Sequence, residues 1–257
     1  MNLLEKIFVD GSKSKLNIYF TAGYPGLNNT GTIMLELQKH GADIMEIGMP
    51  YSDPVADGPV IQQSNAIALK NGMTIKLLFE QLAEVKEKIH IPVILMGYLN
   101  PVLQYGIKAF CKNAEAAGVS GIIIPDLPMY EYEKQYQTIF KKHNLAMIFL
   151  VSPETSDERI KKADNLSNGF LYAVSSSSTT GEKEMGDAQH EWFKRIKKMT
   201  LKNPVLIGFG IKEKKDFELA CEYASGAIVG SAFIKALAKT NNLEKTVGDF
   251  IKIYKGC

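Results

Sequence analysis

The chain lacks most of what marks a metal, redox or disulfide-stapled protein. Its 257 residues include three Cys, which cannot all pair, and no Cys-x-x-Cys spacing occurs. A reduced protein without structural disulfides or a zinc knot is expected. Neither sign of charge dominates: 30 Lys and Arg against 28 Asp and Glu give +2, which offers no footprint for nucleic acid or another polyanion. No apolar run approaches the roughly 18 residues of a membrane span. The first residues, Met1–Phe8, read as an amphipathic helical turn or two without the apolar centre of a secretion signal. A cytoplasmic location is therefore expected. No linker, charge block or shift in composition divides the sequence, so one domain over residues 1–257 is expected. With 46% hydrophobic and 23% charged residues, 21 Gly and 10 Pro, the composition excludes disordered and collagen-like chains.

What is present is a regular alternation. Eight short apolar runs, Asn17–Ala22, Asp43–Ile47, Pro92–Tyr98, Gly121–Asp126, Ala146–Ser152, Gly169–Val174, Pro204–Gly208 and Ala227–Gly230, are separated by longer amphipathic stretches. Most runs are continuous rather than alternating, which suits strands buried on both faces of a parallel sheet. Between them, Ile75–Val85, Tyr130–His143 and Ala188–Met199 carry apolar residues at helical spacing. Gly41, Gly118 and Gly226 stand where helices end and strands begin. Strand–helix alternation implies parallel strands joined by right-handed crossovers. Eight strands are the number that closes a (β/α)8 barrel, and about 250 residues is its usual length. An open doubly wound sheet is the alternative, but the turn after the first run reads Thr21-Ala22-Gly23-Tyr24-Pro25-Gly26, not the dinucleotide fingerprint.

Barrel enzymes work at the C-terminal ends of their strands, and there too the sequence is sparing. His40, His90 and His143 precede strands and His190 falls in a helix, so no His reaches that face as metal ligand or base. No run ends in Lys, which leaves Schiff-base chemistry without a nucleophile. Cys111 and Cys221 lie in helical stretches and Cys257 is the last residue. Carboxylates, hydroxyls and glycines remain. Glu46 interrupts the second run; a lone buried carboxylate is costly, so it must find a partner or shift its pKa upward. It reads equally as a proton-transfer group and as a hydrogen-bonded cap of the barrel. Asp53 and Asp57 lie in a Pro- and Gly-punctuated loop, where Asp also serves turns. Gly208-Phe209-Gly210 and Gly230-Ser231, after the last two runs, suit backbone binding of phosphate, and Gly181 offers a third donor. The polar stretch Thr179–Asp187 is a candidate lid over a substrate. These features describe a barrel that handles a small phosphorylated metabolite by carboxylate acid–base chemistry.

The segment Glu46-Ile47-Gly48-Met49-Pro50-Tyr51-Ser52-Asp53-Pro54-Val55-Ala56-Asp57-Gly58-Pro59-Val60-Ile61-Gln62 closely resembles the signature of the tryptophan synthase alpha subunit family. Similar stretches at Thr21–Pro25, Met96–Pro101, Pro125–Pro128, Gly208–Ile211 and Gly230–Ala232 extend the resemblance over essentially the whole chain. It implies a (β/α)8 barrel and a carbon–carbon lyase that cleaves indole-3-glycerol phosphate to indole and glyceraldehyde 3-phosphate. By resemblance, Glu46 and Asp57 match the catalytic carboxylates. Tyr172 matches a tyrosine near the substrate, Tyr19 stands where an aromatic lines the indole pocket, and Leu95, Tyr98 and Leu127 add to that pocket. Gly181, Gly210, Gly230 and Ser231 match the phosphate cradle. The resemblance also implies an α2β2 complex with a beta subunit that holds pyridoxal phosphate. This chain then carries no cofactor and docks through Pro50, Tyr51, Asp53, Pro54, Asn100 and Pro101. One departure is visible: Ser178 in Ser175–Gly181 replaces a glycine frequent in the family. Two other readings remain at this level. One is a relative such as indole-glycerol phosphate synthase, which relies on strand-end lysines missing here. The other is a non-catalytic barrel that binds a phosphorylated ligand or regulates a partner.

Overall fold

The computed structural model describes residues 2–9, 11, 14–174, 187–208 and 210–256. Its strands are β1 (Lys15–Thr21), β2 (Ile44–Gly48), β3 (Val93–Met96), β4 (Gly121–Ile123), β5 (Ala146–Met147), β6 (Leu150–Val151), β7 (Leu171–Val174), β8 (Val205–Gly208) and β9 (Gly226–Val229). They form one sheet in the order β5-β4-β3-β2-β1-β9-β8-β7-β6, with parallel neighbours throughout. β2 is buried along its whole length and β1 along all but its first residue, as the continuous apolar runs demand of a sheet covered on both faces.

Nine strands occupy eight barrel positions, because the fifth apolar run is divided. Its first half pairs with β4 and its second half with β7. At the break the Ile148 N–H donates to Ile122 O and the Tyr172 N–H donates to Phe149 O, both at 3.1 Å. Six of that run's seven residues, 146–151, thus join the two ends of the sheet and close the ring. Strands in a closed barrel tilt and stagger, so two neighbours overlap different stretches of the strand between them.

Helices follow from ordinary signals. Thr74, Ser156 and Asn242 cap helices Ile75–Val85, Asp157–Leu166 and Leu243–Lys255 with side-chain oxygens. Pro59 opens helix Pro59–Lys70 at a position that needs no N–H. The stretch expected as one helix from Tyr130 is a run of α turns, Met129–Glu131 and Gln137–Lys142, around a π-helical insertion at Tyr132–Tyr136. At the N-terminal end of the barrel, helix Leu3–Lys6 forms a plug. Asn2 Nδ2 donates to Ser120 O and to Asn144 O, each at 2.6 Å, and Leu4 is fully buried against Gly121 and Gly169. A Cβ on Gly169 would lie 2.7 Å from Leu4 Cδ2, so glycine there is what makes room for the plug. Burying that leucine is worth about 1.5–3 kcal/mol.

Register decides what lines the interior. Partners in a parallel ladder point the same way. Tyr19 pairs with Glu46, Glu46 with Ile94, Gly48 with Met96 and Met96 with Ile123. Around the other side Leu150 pairs with Tyr172, and Val174 with Gly208. The Asn17 and Glu46 side chains meet inside the ring, so this set faces inward and its odd neighbours face the helices.

Candidate active site

β2 carries Glu46 into the interior near the C-terminal end of the barrel. The residue is fully buried. Asn17 Nδ2 donates to its Oε2 at 2.8 Å, and Oε1 has no hydrogen-bond partner among the described residues. Burial pushes the Glu46 carboxyl from 4.5 up to about 8, with the Asn17 bond opposing the shift.

The chain then leaves the sheet as the loop Met49–Gly58, pinned at its far end. Gln62 Nε2 donates to Asp57 O at 2.9 Å, and Gly58 and Pro59 start the next helix. The Tyr98 hydroxyl accepts from the Ala56 N–H at 2.9 Å and hydrogen-bonds the Asp57 carboxyl; Asn65 Nδ2 approaches the same carboxyl at 3.4 Å. Burial raises Asp57 to about 6 against those two donors. The two carboxyls therefore sit in different surroundings, one with a single amide contact in an apolar interior, the other partly open and held by two donors.

Tyr19 and Tyr172 complete the cluster. Both are raised well above 10, first by desolvation; the charges of Glu46 and Asp57 act on both in the same direction. Glycines admit their hydroxyls: a Cβ on Gly48 would overlap Tyr19 Oη, and one on Gly208 would overlap Tyr172 Oη. Thr21, which also bonds Tyr19, meets Ser64 hydroxyl to hydroxyl at 2.6 Å.

The structure brings together Glu46, Asp57, Tyr19, Tyr98 and Tyr172, but it does not bring Leu95 to them. Leu95 pairs with Ile47 and Ile122, on the outward-facing parity, buried beneath the helices; Met96 is the β3 residue that turns inward. Leu127 is buried in the turn beyond β4, its N–H bonded to Ile124 O, and Ile123 is the β4 residue on the inner face. Asn17 and Asn65, which bond Glu46 and Asp57, and Met96 and Ile123, on the inward parity, are residues that sequence reasoning passed over. A polar residue inside an apolar strand was the available signal for Asn17.

The glycine turns sit where phosphate sites form in barrels. Gly230 precedes helix Ser231–Ala238 with no side-chain cap, which leaves its first N–H groups to other acceptors. Gly210, just past β8, adopts φ +79°, a left-handed geometry that favours glycine. Gly181, Ser178 and the polar stretch from Thr179 as far as Gly186 lie outside the described residues.

Outside the cavity, the loops after β2 and β3 form one rim. Asn100 Nδ2 donates to Tyr51 Oη at 3.3 Å, and the Tyr51 and Tyr98 rings lie 5.3 Å apart. Asp53 and Asn100 are exposed, while Pro50, Tyr51, Pro54 and Pro101 are half-buried. Val55 and Leu103 add apolar side chains, 84% and 44% exposed. Among the described residues no group of three His, Cys, Asp or Glu side chains is arranged to hold a metal ion, and no helix is long and apolar enough to cross a membrane.

A family model described as tryptophan synthase alpha chain matches residues 9–255. The chain belongs to the tryptophan synthase alpha chain family. The tryptophan synthase alpha chain of Flavobacterium johnsoniae is 51% identical over 240 residues, covering 92% of this chain and 95% of that one. That of Bacteroides fragilis is 46% identical over 248 residues, covering 96% and 94%. Among solved structures, tryptophan synthase from M. tuberculosis superimposes with a TM-score of 0.84 at 32% identity, covering 98% of each chain. The tryptophan synthase complex from Pyrococcus furiosus gives 0.87 at 31% identity, covering 96% and 99%. The closed barrel built here is the fold of these tryptophan synthase chains.

Proposed function

We propose that the chain cleaves indole-3-glycerol phosphate to indole and glyceraldehyde 3-phosphate, a retro-aldol reaction, with Glu46 and Asp57 as its catalytic residues. The observation that supports this most directly is the pair of carboxyls with unequal surroundings at one strand end. Near pH 7, Glu46 at about 8 is largely protonated and Asp57 at about 6 largely ionised. Protonated Glu46 gives its proton to indole C3. Positive charge then spreads onto the ring nitrogen, and Asp57 accepts a hydrogen bond from that N–H, strongest as the charge develops. The Glu46 carboxylate next takes the proton of the glycerol hydroxyl attached to the side-chain carbon. The carbon–carbon bond breaks, its electron pair returns to the ring as indole forms, and the hydroxyl carbon leaves as the aldehyde. Glu46 ends protonated, ready for another turn.

Tyr19, Tyr98 and Tyr172, with Met96 and Ile123, are proposed to line the indole pocket. Gly210, Gly230 and Ser231, joined by Gly181, are proposed to hold the phosphate through backbone N–H groups. The rim of Pro50, Tyr51, Asp53, Pro54, Asn100 and Pro101 is proposed as the docking surface for a tryptophan synthase beta subunit in an α2β2 complex, which would also cover the exposed Val55 and Leu103. Indole is apolar, and passing it directly to that partner keeps it from escaping. Pyridoxal phosphate then belongs to the beta subunit, and this chain needs no cofactor of its own. We also read residues 1–257 as one barrel domain of a cytoplasmic enzyme.

The test is indole release from indole-3-glycerol phosphate, with and without the cognate beta subunit. The chain is expected to release indole, faster with the partner present, and Glu46→Gln to release none while still binding glycerol phosphate. Near wild-type turnover by Glu46→Gln would show that the proton moves through another group.

A further inference from the structure

The two oxygens of Glu46 are not equivalent. Oε2 takes the Asn17 amide at 2.8 Å, whereas Oε1 is buried without a partner among the described residues. Asn17 is itself fully buried, and its own Oδ1 is likewise unpartnered among them. It stands on the inner face of β1, one inward position before Tyr19, and Tyr19 is the residue paired with Glu46. The amide thus reaches the carboxyl from the closed end of the barrel. Leu16, Ile18 and Phe20 surround it in the strand, all fully buried. Asn is a poor strand former, and a buried amide is costly unless bonded. The contact with Glu46 is what offsets that cost.

We propose that Asn17 is a positioning residue for Glu46: its amide occupies Oε2 and leaves Oε1 as the oxygen that carries the proton and exchanges it with the substrate. The proposal rests on the proton-transfer reading of Glu46 given above. A neutral carboxyl has one carbonyl oxygen and one hydroxyl. A donor seated on Oε2 makes that oxygen the carbonyl and puts the hydroxyl at Oε1. Once the proton has left, the same N–H faces a carboxylate and bonds it more strongly. Asn17 therefore restrains how weak an acid burial makes Glu46, and fixes which oxygen faces the reacting atoms. The other titratable groups that act here are Tyr19 on β1, Tyr172 on β7 and Asp57 on the loop after β2; both tyrosines stay neutral well past pH 10.

Two full-length variants test this. Asn17→Leu removes the donor at nearly the same size, and Asn17→Val removes it with a smaller, β-branched side chain suited to a strand, which keeps the strand packed if leucine does not. The titration of Glu46 is followed by carbon NMR of labelled glutamate carboxyls, with Glu46→Gln to identify the signal. In parallel, kcat and KM for indole-3-glycerol phosphate are measured from pH 5 to 10. Losing a hydrogen bond to a charged acceptor corresponds to an upward shift of about one to two pH units. Both variants are expected to show it in the NMR midpoint and in the alkaline limb of kcat. Near pH 7 kcat is expected to fall about tenfold or more, with KM within about twofold, the signature of a lost transition-state contribution. A midpoint that stays in place, however much kcat or stability falls, makes Asn17 merely structural and overturns the proposal. A downward shift overturns it too, because it places the amide oxygen against Glu46. If the wild type releases no indole, the functional reading fails on its own, and the NMR midpoint still decides whether Asn17 donates to Glu46.

Discussion

Replacing Glu46 by Gln should stabilise the protein at alkaline pH, by an amount the structure sets. The carboxyl is fully buried and titrates near 8 in the fold against 4.5 when exposed. Its folded value is the raised one, so folding favours the protonated form. The group costs nothing well below pH 4.5, and its cost grows until the pH passes about 8. Each pH unit inside that window is worth about 1.36 kcal/mol. Raising the pH from 5.5 to 8.5 therefore removes about 3 kcal/mol of stability through this residue alone. Glutamine keeps the size and the Asn17 contact but does not titrate. The gap in melting temperature between Glu46→Gln and wild type should thus widen by about 6–12 °C over that range, given about 2–4 °C per kcal/mol for a chain of this length. Calorimetry at the two pH values reads it directly, and Asp57, present in both proteins, cancels to first order. An unchanged gap would show that the carboxyl is charged in the fold at pH 8.5 without penalty. That would remove the basis for treating it as an acid at neutral pH.

Three further outcomes follow, two from the site and one from the plug. The wild-type rate should be bell-shaped in pH, with an acid limb near 6 from Asp57, which must be ionised, and an alkaline limb near 8 from Glu46, which must be protonated. Tyr98→Phe strips a donor from Asp57 and should move the acid limb upward by about one unit, lowering kcat/KM about fivefold at pH 6; a limb that does not move assigns it to another group. Leu4→Ala should cost about 2–5 kcal/mol in urea unfolding, as for other buried leucines, yet leave kcat at 25 °C close to wild type because the plug lies at the other end of the barrel. A cost below about 1 kcal/mol would mean that the plug packs loosely.

The barrel was readable because its strands are buried on both faces, which turns each into a continuous apolar run, and because glycines mark the turns into several of them. The same continuity hides side-chain direction. With Ile94, Leu95 and Met96 all apolar, nothing in the sequence says which of the three looks inward, and Leu95 was the natural but wrong choice of pocket residue. Leu127 illustrates a related limit: it lies past the ladder, where strand parity no longer applies. Glu46 stood out as a charge within Ile-Met-Glu-Ile-Gly, and the same reasoning applied to Lys-Leu-Asn-Ile-Tyr would have singled out Asn17. Asp57 was ambiguous for a different reason. A turn-forming aspartate and a catalytic one look alike until Tyr98 and Asn65, 41 and 8 positions away, are seen to converge on it. The division of the fifth run depends on the stagger of the closed ring, a property of the whole sheet that no local pattern encodes.

The plug at the closed end of the barrel also has a consequence for synthesis. Asn2 and Leu4 are held by Ser120, Gly121, Asn144 and Gly169, so this segment must wait for more than a hundred later residues before it can dock. Until then Leu4 is an exposed apolar side chain on a nascent chain, and the strands of the first half lack the stopper that seals their interior. Contacts of such long sequence separation slow folding, and domains form as units during translation. The base of the ring is therefore stoppered by Leu4 only after Gly169 has emerged from the ribosome, well after Glu46 and Asp57 have been placed in the chain.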